Sequence, residues 1–179
     1  MRTRQLGKDG PDVSVIGLGA WPIGGGMGPV DEKIAIDTVR SAIDAGVTLL
    51  DTAQAYRSSE STLGKALEEG YRDRCFLATK VSGDYSAAGI RAAMDASLKA
   101  LDVDYVDLYQ VHSWRGADYP IEATMEAMSQ LQQQGKTRYI GVSNFNAAQM
   151  DAAYNVVPFH SSQPQYNMID RGIESHDLP

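Results

Sequence analysis

Val47-Thr-Leu-Leu-Asp-Thr-Ala-Gln-Ala-Tyr56 decides how the rest of the chain is read. Its first four residues are an apolar, β-prone run, and the carboxylate of Asp51 and the phenol of Tyr56 follow at or just past its end. Ahead of it, Ile36, Val39, Ala42 and Ile43 keep the three-and-four spacing of an amphipathic helix that stops at Gly46. One unit is therefore a helix, a short buried strand, and then a polar loop.

That unit repeats. Leu63, Ala66 and Leu67 form a stripe ending near Gly70, ahead of Phe76-Leu-Ala-Thr79 and Lys80. Ile90, Ala93, Met94, Ser97, Leu98 and Leu101 lead to Tyr105-Val-Asp-Leu-Tyr-Gln-Val111 and His112. Ile121, Met125, Met128 and Leu131 precede Gly135 and Thr137-Arg-Tyr-Ile-Gly-Val142, and a fifth helix over about 147–154 leads through Pro158 to a strand at 161–163. Methionines at this spacing are core residues. Strands begin near Val47, Phe76, Tyr105, Thr137 and Ser161, with a helix between each pair, and such alternation builds a parallel sheet joined by right-handed crossovers.

An opening hairpin is expected over 2–6 and 13–16, joined through Gly7-Lys-Asp-Gly-Pro-Asp12, and counting 13–16 as the first strand gives six. The expected fold is α/β, a TIM-barrel type that is incomplete, with about six parallel strands in one domain spanning 1–179. An eightfold barrel usually takes about 250 residues.

Composition narrows the partners. Hydrophobic residues make up 43% and charged residues 22%, as in an ordinary globular protein. The net charge of −7 disfavours a broad nucleic-acid or anionic-membrane surface, which would need basic patches. Cys75 is the only cysteine, so no internal disulfide can form; it reads as packing at the start of a buried strand. The N-terminal residues carry charge without an apolar core to follow, and no run approaches the roughly 18 apolar residues of a membrane span, so the cytoplasm is the default. His160 and His176 lack partners at metal-ligand spacing, and no metal site is expected.

A parallel barrel presents the C-terminal ends of its strands on one face, and Asp51, Tyr56, Lys80 and His112 all fall there. A carboxylate, a phenol, an ammonium and an imidazole brought together by the fold make a proton-transfer site. A phenol with a pKa of about 10 is a poor acid at neutral pH, and a nearby ammonium lowers that value by stabilising the phenolate. Lys80 would supply that field, Asp51 would hold Lys80, His112 would orient a carbonyl oxygen, and Tyr56 would protonate it. Taken singly, Asp51 could be a helix cap, Tyr56 a loop residue, Lys80 a solvated strand end and His112 a core histidine. Their joint placement favours the site.

Asp-Thr-Ala-x-x-Tyr at 51–56, Ala-Thr-Lys at 78–80, a histidine closing the fourth strand, Gly141-Val-Ser-Asn-Phe145 and Gln163-x-x-Tyr-Asn167 together resemble the aldo-keto reductase superfamily, in that family's order. The resemblance implies that Asp51, Tyr56, Lys80 and His112 are the catalytic tetrad of an NADPH-dependent reductase of aldehydes or ketones. It also implies that Ser143, Asn144 and Gln163 bind the nicotinamide carboxamide. Gly17-Leu-Gly-Ala-Trp21 resembles the first-strand loop, which places Trp21 on the nicotinamide and substrate wall, joined by Trp114. The bland alternative for Ser143 and Asn144 is that they cap the helix near Ala147.

Neither Gly17-Leu-Gly19 nor Gly24-Gly-Gly-Met-Gly28 completes a G-x-G-x-x-G, and the second is expected to be a flexible substrate loop. The family's last two β/α units, with the segment that grips the adenosine 2′-phosphate, have no counterpart in these 179 residues. From this the chain is expected to be a piece of a longer protein. The competing reading is a non-catalytic fragment or binding module that binds cofactor weakly, and open sheet edges would favour self-association.

Overall fold

The computed structural model describes residues 1–116 and 118–175. Thr3–Gln5 (β1) and Asp12–Ser14 (β2) form an antiparallel hairpin. A six-stranded parallel sheet follows in the order Leu18–Gly19 (β3), Leu49–Asp51 (β4), Phe76–Val81 (β5), Val106–Val111 (β6), Thr137–Ser143 (β7) and Ser161–Gln163 (β8). Each strand pairs with the next in sequence, and the sheet curls into a half-barrel. Helices Glu32–Asp44 (α1), Ser59–Ala66 (α2), Ala87–Leu101 (α3), Ile121–Gln133 (α4) and Ala147–Val156 (α5) fill the crossovers.

The local signals act as their chemistry requires. Asp31 accepts a hydrogen bond from the Ile34 amide and opens α1, while Ser86 accepts from Gly89 and opens α3. Every residue of β5 and β6 is buried, because helices cover one face and the inside of the curl covers the other. The period of two then sorts their side chains. Leu77, Val81, Tyr109, Val111, Ile140 and Val142 join the helices in the main core. Phe76, Ala78 and Leu108 form a second cluster with Val13 of the hairpin.

That second cluster corrects the strand count. Residues 13–16 do not supply the first strand of the parallel sheet: β2 pairs only with β1, and Val13 plugs the end of the curl against Phe76, Ala78 and Leu108. The first parallel strand is the two-residue β3, with Leu18 opposite Leu50 and Gly19 opposite Asp51.

At the N-terminal end of the strands, Asp107 is nearly fully buried and accepts from Arg72 at 2.8 Å, Arg138 at 3.1 Å and the Leu77 amide at 2.9 Å. Both guanidinium groups stack on Tyr105. These contacts tie β5, β6 and β7 together at the end opposite the candidate site. Cys75 is half-buried just ahead of β5; its thiol contacts the Tyr71 carbonyl oxygen, and burial pushes its pKa up to about 11. Among the described residues no helix is long and apolar enough to cross a membrane, and no cluster of three or more potential metal ligands occurs. His160 stands edge-on to Tyr139; His176 lies outside the described residues.

Candidate active site

Strand register builds the site. Asp51 is the last residue of β4 and lies opposite Ala78, two residues short of Lys80 on the same face of β5. Lys80 in turn lies opposite Gln110, and His112 follows two residues after Gln110. The period of two thus points Asp51, Lys80 and His112 to the inside of the curl at the C-terminal ends of their strands, and the loop after β4 brings Tyr56 over them.

The Lys80 ammonium is 2% exposed and is spent on three acceptors. It donates to both carboxylate oxygens of Asp51 at 2.7 Å and to the Thr52 carbonyl at 2.9 Å. The Tyr56 ring centroid lies 5.3 Å from Lys80 Nζ, a cation–π distance. The Tyr56 hydroxyl is 3.4 Å from Nε2 of His112, and the two rings stand edge to face. The four groups therefore meet at one place, on three neighbouring strands and the loop between β4 and α2.

Their electrostatics differ from the sequence expectation in one respect. Burial lowers the Lys80 pKa against the opposing pull of Asp51, and burial with the Lys80 charge lowers that of His112, favouring the neutral ring. The Tyr56 phenol is raised rather than lowered, first by burial and then by the Asp51 carboxylate. The reason is the bidentate pair: with Asp51 held against Lys80, the phenol faces a dipole rather than a free cation, and desolvation decides the sign. Tyr56 keeps its proton across neutral pH.

Ser143, Asn144 and Gln163 lie together at the C-terminal ends of β7 and β8. Ser143 Oγ donates to the Gln163 carbonyl at 2.9 Å, and the Asn144 amide nitrogen of the backbone donates to the same oxygen at 3.2 Å. Asn144 Nδ2 donates to the His112 carbonyl at 2.9 Å and to Ser143 Oγ at 3.1 Å. Gln163 Oε1 accepts from Gln110 at 3.3 Å. Neither Ser143 nor Asn144 caps α5. Asn146 does, in a reciprocal capping box with Gln149, which excludes the bland reading of that pair. The exposed side-chain amides are those of Asn144 and Gln163, a donor and acceptor set that fits a planar carboxamide, while Ser143 is buried with its hydroxyl bonded to the Gln163 carbonyl.

The two tryptophans stand apart from this core. Trp21 is 49% exposed, with its indole laid over Gly26, where a Cβ would overlap the ring. Trp114 packs on Phe145 at 6.0 Å and donates its indole N–H to the Tyr119 carbonyl. A cavity of about 310 Å³ beside His112 is lined by Ala55, Ser82, Gly83, Tyr85, Ser113, Arg115 and Asn144, and neither indole lines it. The 24–28 glycine segment is held by turns: Gly24 donates to the Ala20 carbonyl, Gly26 to that of Trp21, and Arg57 reaches the Gly25 carbonyl.

Ser82 is the neighbour that sequence reading did not single out. Its Oγ lies 2.8 Å from Nδ1 of His112. The available signal was its spacing, two residues beyond Lys80 and so on the same side of the extended chain.

Comparison with known proteins follows the same lines. The sequence profile of the aldo/keto reductase family matches residues 15–178. Aldo-keto reductase YhdN of Bacillus subtilis (strain 168) is 46% identical over 192 residues, covering all of this chain and 58% of that protein. The NADH-specific methylglyoxal reductase of Escherichia coli (strain K12) is 32% identical over 206 residues, covering all of this chain and 63% of its own length. The crystal structure of an aldo/keto reductase from Klebsiella pneumoniae in complex with NADP and acetate superposes with a TM-score of 0.86 at 35% identity, over 95% of this chain and 60% of that one. The chain spans about three fifths of the length of these relatives. It belongs to the aldo/keto reductase family.

Proposed function

We propose that this chain carries the proton-donating site of a reductase that converts a small aldehyde or ketone to the alcohol with NADPH. The observation that supports it most is the convergence of Tyr56, His112 and the buried Lys80–Asp51 pair at the C-terminal ends of adjacent strands. The nicotinamide, when bound, supplies the hydride that reaches the carbonyl carbon. The chain's own part is the proton at oxygen. Tyr56 Oη gives its proton to the carbonyl oxygen as negative charge develops there, and the phenolate left behind is held by the nearby ammonium of Lys80. Asp51 keeps that ammonium in place and charged. Neutral His112 orients the carbonyl oxygen through Nε2.

In this reading Ser143, Asn144 and Gln163 hold the carboxamide, with Asp51 also beside the nicotinamide, and Trp21 and Trp114 belong to the substrate wall. Because a relative 32% identical to this chain is NADH-specific, the choice of NADPH is the finer part of the proposal. Fluorescence titration with NADPH and NADH tests it directly: saturable NADPH binding supports the reductase, and no binding of either favours the non-catalytic binding module. The cytoplasm, where reduced nicotinamide is held, is the proposed location.

A second reading concerns the sheet edges. Among the described residues nothing pairs with the outer side of β3 or β8, and exposed Val15, Ile16, Tyr166, Met168 and Ile169 lie close to those strands in sequence. Unpaired edges flanked by apolar side chains are templates for association. Self-association through them predicts a concentration-dependent species above monomer mass in sedimentation; monomer alone at micromolar concentration contradicts it.

A further inference from the structure

We propose that Ser82 is a positioning residue that sets the tautomer of His112, donating its hydroxyl proton to Nδ1 so that the ring proton rests on Nε2, facing the Tyr56 hydroxyl and a bound carbonyl oxygen. The inference deepens the reductase reading and rests on it for its catalytic consequence; the tautomer itself does not.

The fold delivers Ser82 to this place. Val81 ends β5 opposite Val111, so Ser82 and His112 are the next residues along paired chains, and the His112 amide still donates to the Val81 carbonyl at 3.1 Å. The His112 backbone is held on its other side by Asn144 Nδ2, which donates to its carbonyl. The backbone being fixed at both amide and carbonyl, the ring's remaining freedom is its torsion and its tautomer. Two contacts govern these: Ser82 Oγ at 2.8 Å from Nδ1 and Tyr56 Oη at 3.4 Å from Nε2. The shorter one belongs to a hydroxyl for which no other partner occurs among the described residues, so it is free to point its proton at the ring.

The direction of that bond decides what His112 can do. A neutral imidazole has one N–H and one lone pair. With Ser82 donating, Nδ1 is the acceptor and Nε2–H the donor, which is the form able to hold a carbonyl oxygen next to the Tyr56 hydroxyl. With the ring donating instead, the Nε2 lone pair would face that oxygen and would draw the Tyr56 proton toward itself. Burial and the Lys80 charge keep the ring neutral, so one of these two forms is the species present.

The experiment is long-range ¹⁵N–¹H correlation spectroscopy of the histidine rings at pH 8 in the wild-type chain, Ser82→Ala and Ser82→Thr, with His112→Asn to assign the signal. The proposal expects Nε2 protonated in the wild type, a shift toward a mixture in Ser82→Ala, and restoration in Ser82→Thr, which keeps the hydroxyl. A wild-type ring protonated on Nδ1, or a Ser82→Ala spectrum like the wild type, overturns it. Where the chain turns over an aldehyde with NADPH, Ser82→Ala should lower kcat about tenfold with KM for NADPH unchanged and Ser82→Thr should recover it; an unchanged kcat overturns the positioning role. Absence of turnover in the wild type would count against the reductase reading while the ring spectrum still decides the tautomer.

Discussion

Lys80 Nζ donates to both carboxylate oxygens of Asp51 at 2.7 Å, inside a sheet face where the lysine is 2% exposed. A buried cation with its counterion in bidentate contact is stable only as a pair. Removing one member leaves an uncompensated charge.

Asp51→Asn should therefore destabilise the fold by about 3–5 kcal/mol. Asp51→Asn with Lys80→Met, which removes both charges, should regain a large part of that loss. Urea denaturation of the wild type, the single variant and the double variant measures this, and equal stability of the two variants would contradict the pairing.

His112 carries a pH signature. Its pKa is held below the usual 6.5 by burial and by Lys80, so as pH falls the unfolded chain takes up a proton that the folded ring resists. The stability this group contributes is complete above about 6.5 and is lost as pH falls through the lower folded-state value. Proton NMR titration should give a His112 midpoint below that of an unstructured histidine; a midpoint above 6.5 would contradict the burial seen here.

Gly24 lies where a Cβ would overlap the Tyr56 carbonyl oxygen and press on Ser59. The turn at 21–26 therefore packs on the backbone that carries the phenol. Gly24→Ala should cost about 1–3 kcal/mol. It should also shift Tyr56, read as a change in the His112 ring resonances across the 3.4 Å contact. Unaltered resonances with unaltered stability would show that the turn yields freely.

Asp107 tests the opposite end of the strands. Its carboxylate is paired to Arg72 and Arg138 and accepts from Leu77, and Asp107→Ala leaves Arg72, itself largely buried, without that partner. The expected loss is about 3–5 kcal/mol in thermal or urea unfolding. NADPH binding should be unchanged under conditions where the variant is folded, since the site lies at the other end of the sheet; weakened binding there would contradict this division of labour.

Much of this was legible in the sequence because two periods repeat. The stripes at Ile36–Ile43, Ile90–Leu101 and Ile121–Leu131 mark the helices, and the runs before Asp51, Lys80 and His112 mark strands whose ends hold the polar groups. What stayed hidden depends on pairing across the chain. A two-residue strand such as β3 carries too few side chains to show a period, and Val13 reads alike whether it plugs the curl or lies in the sheet. The upward shift of Tyr56 follows first from its burial and then from the nearby Asp51 carboxylate, surroundings that spacing along the chain does not encode. Ser82 escaped notice because one serine after a strand is common, and only the β5–β6 register sets it against His112.

In the proposed mechanism Tyr56 is the proton donor of a site made by Asp51, Lys80 and His112. The most direct measurement is the rate of NADPH oxidation with a small aldehyde for the wild type and Tyr56→Phe, alongside NADPH affinity by fluorescence. Tyr56→Phe should lower the rate by about 10²-fold or more with NADPH affinity unchanged; a Tyr56→Phe variant that reduces the aldehyde at the wild-type rate would rule Tyr56 out as the proton donor.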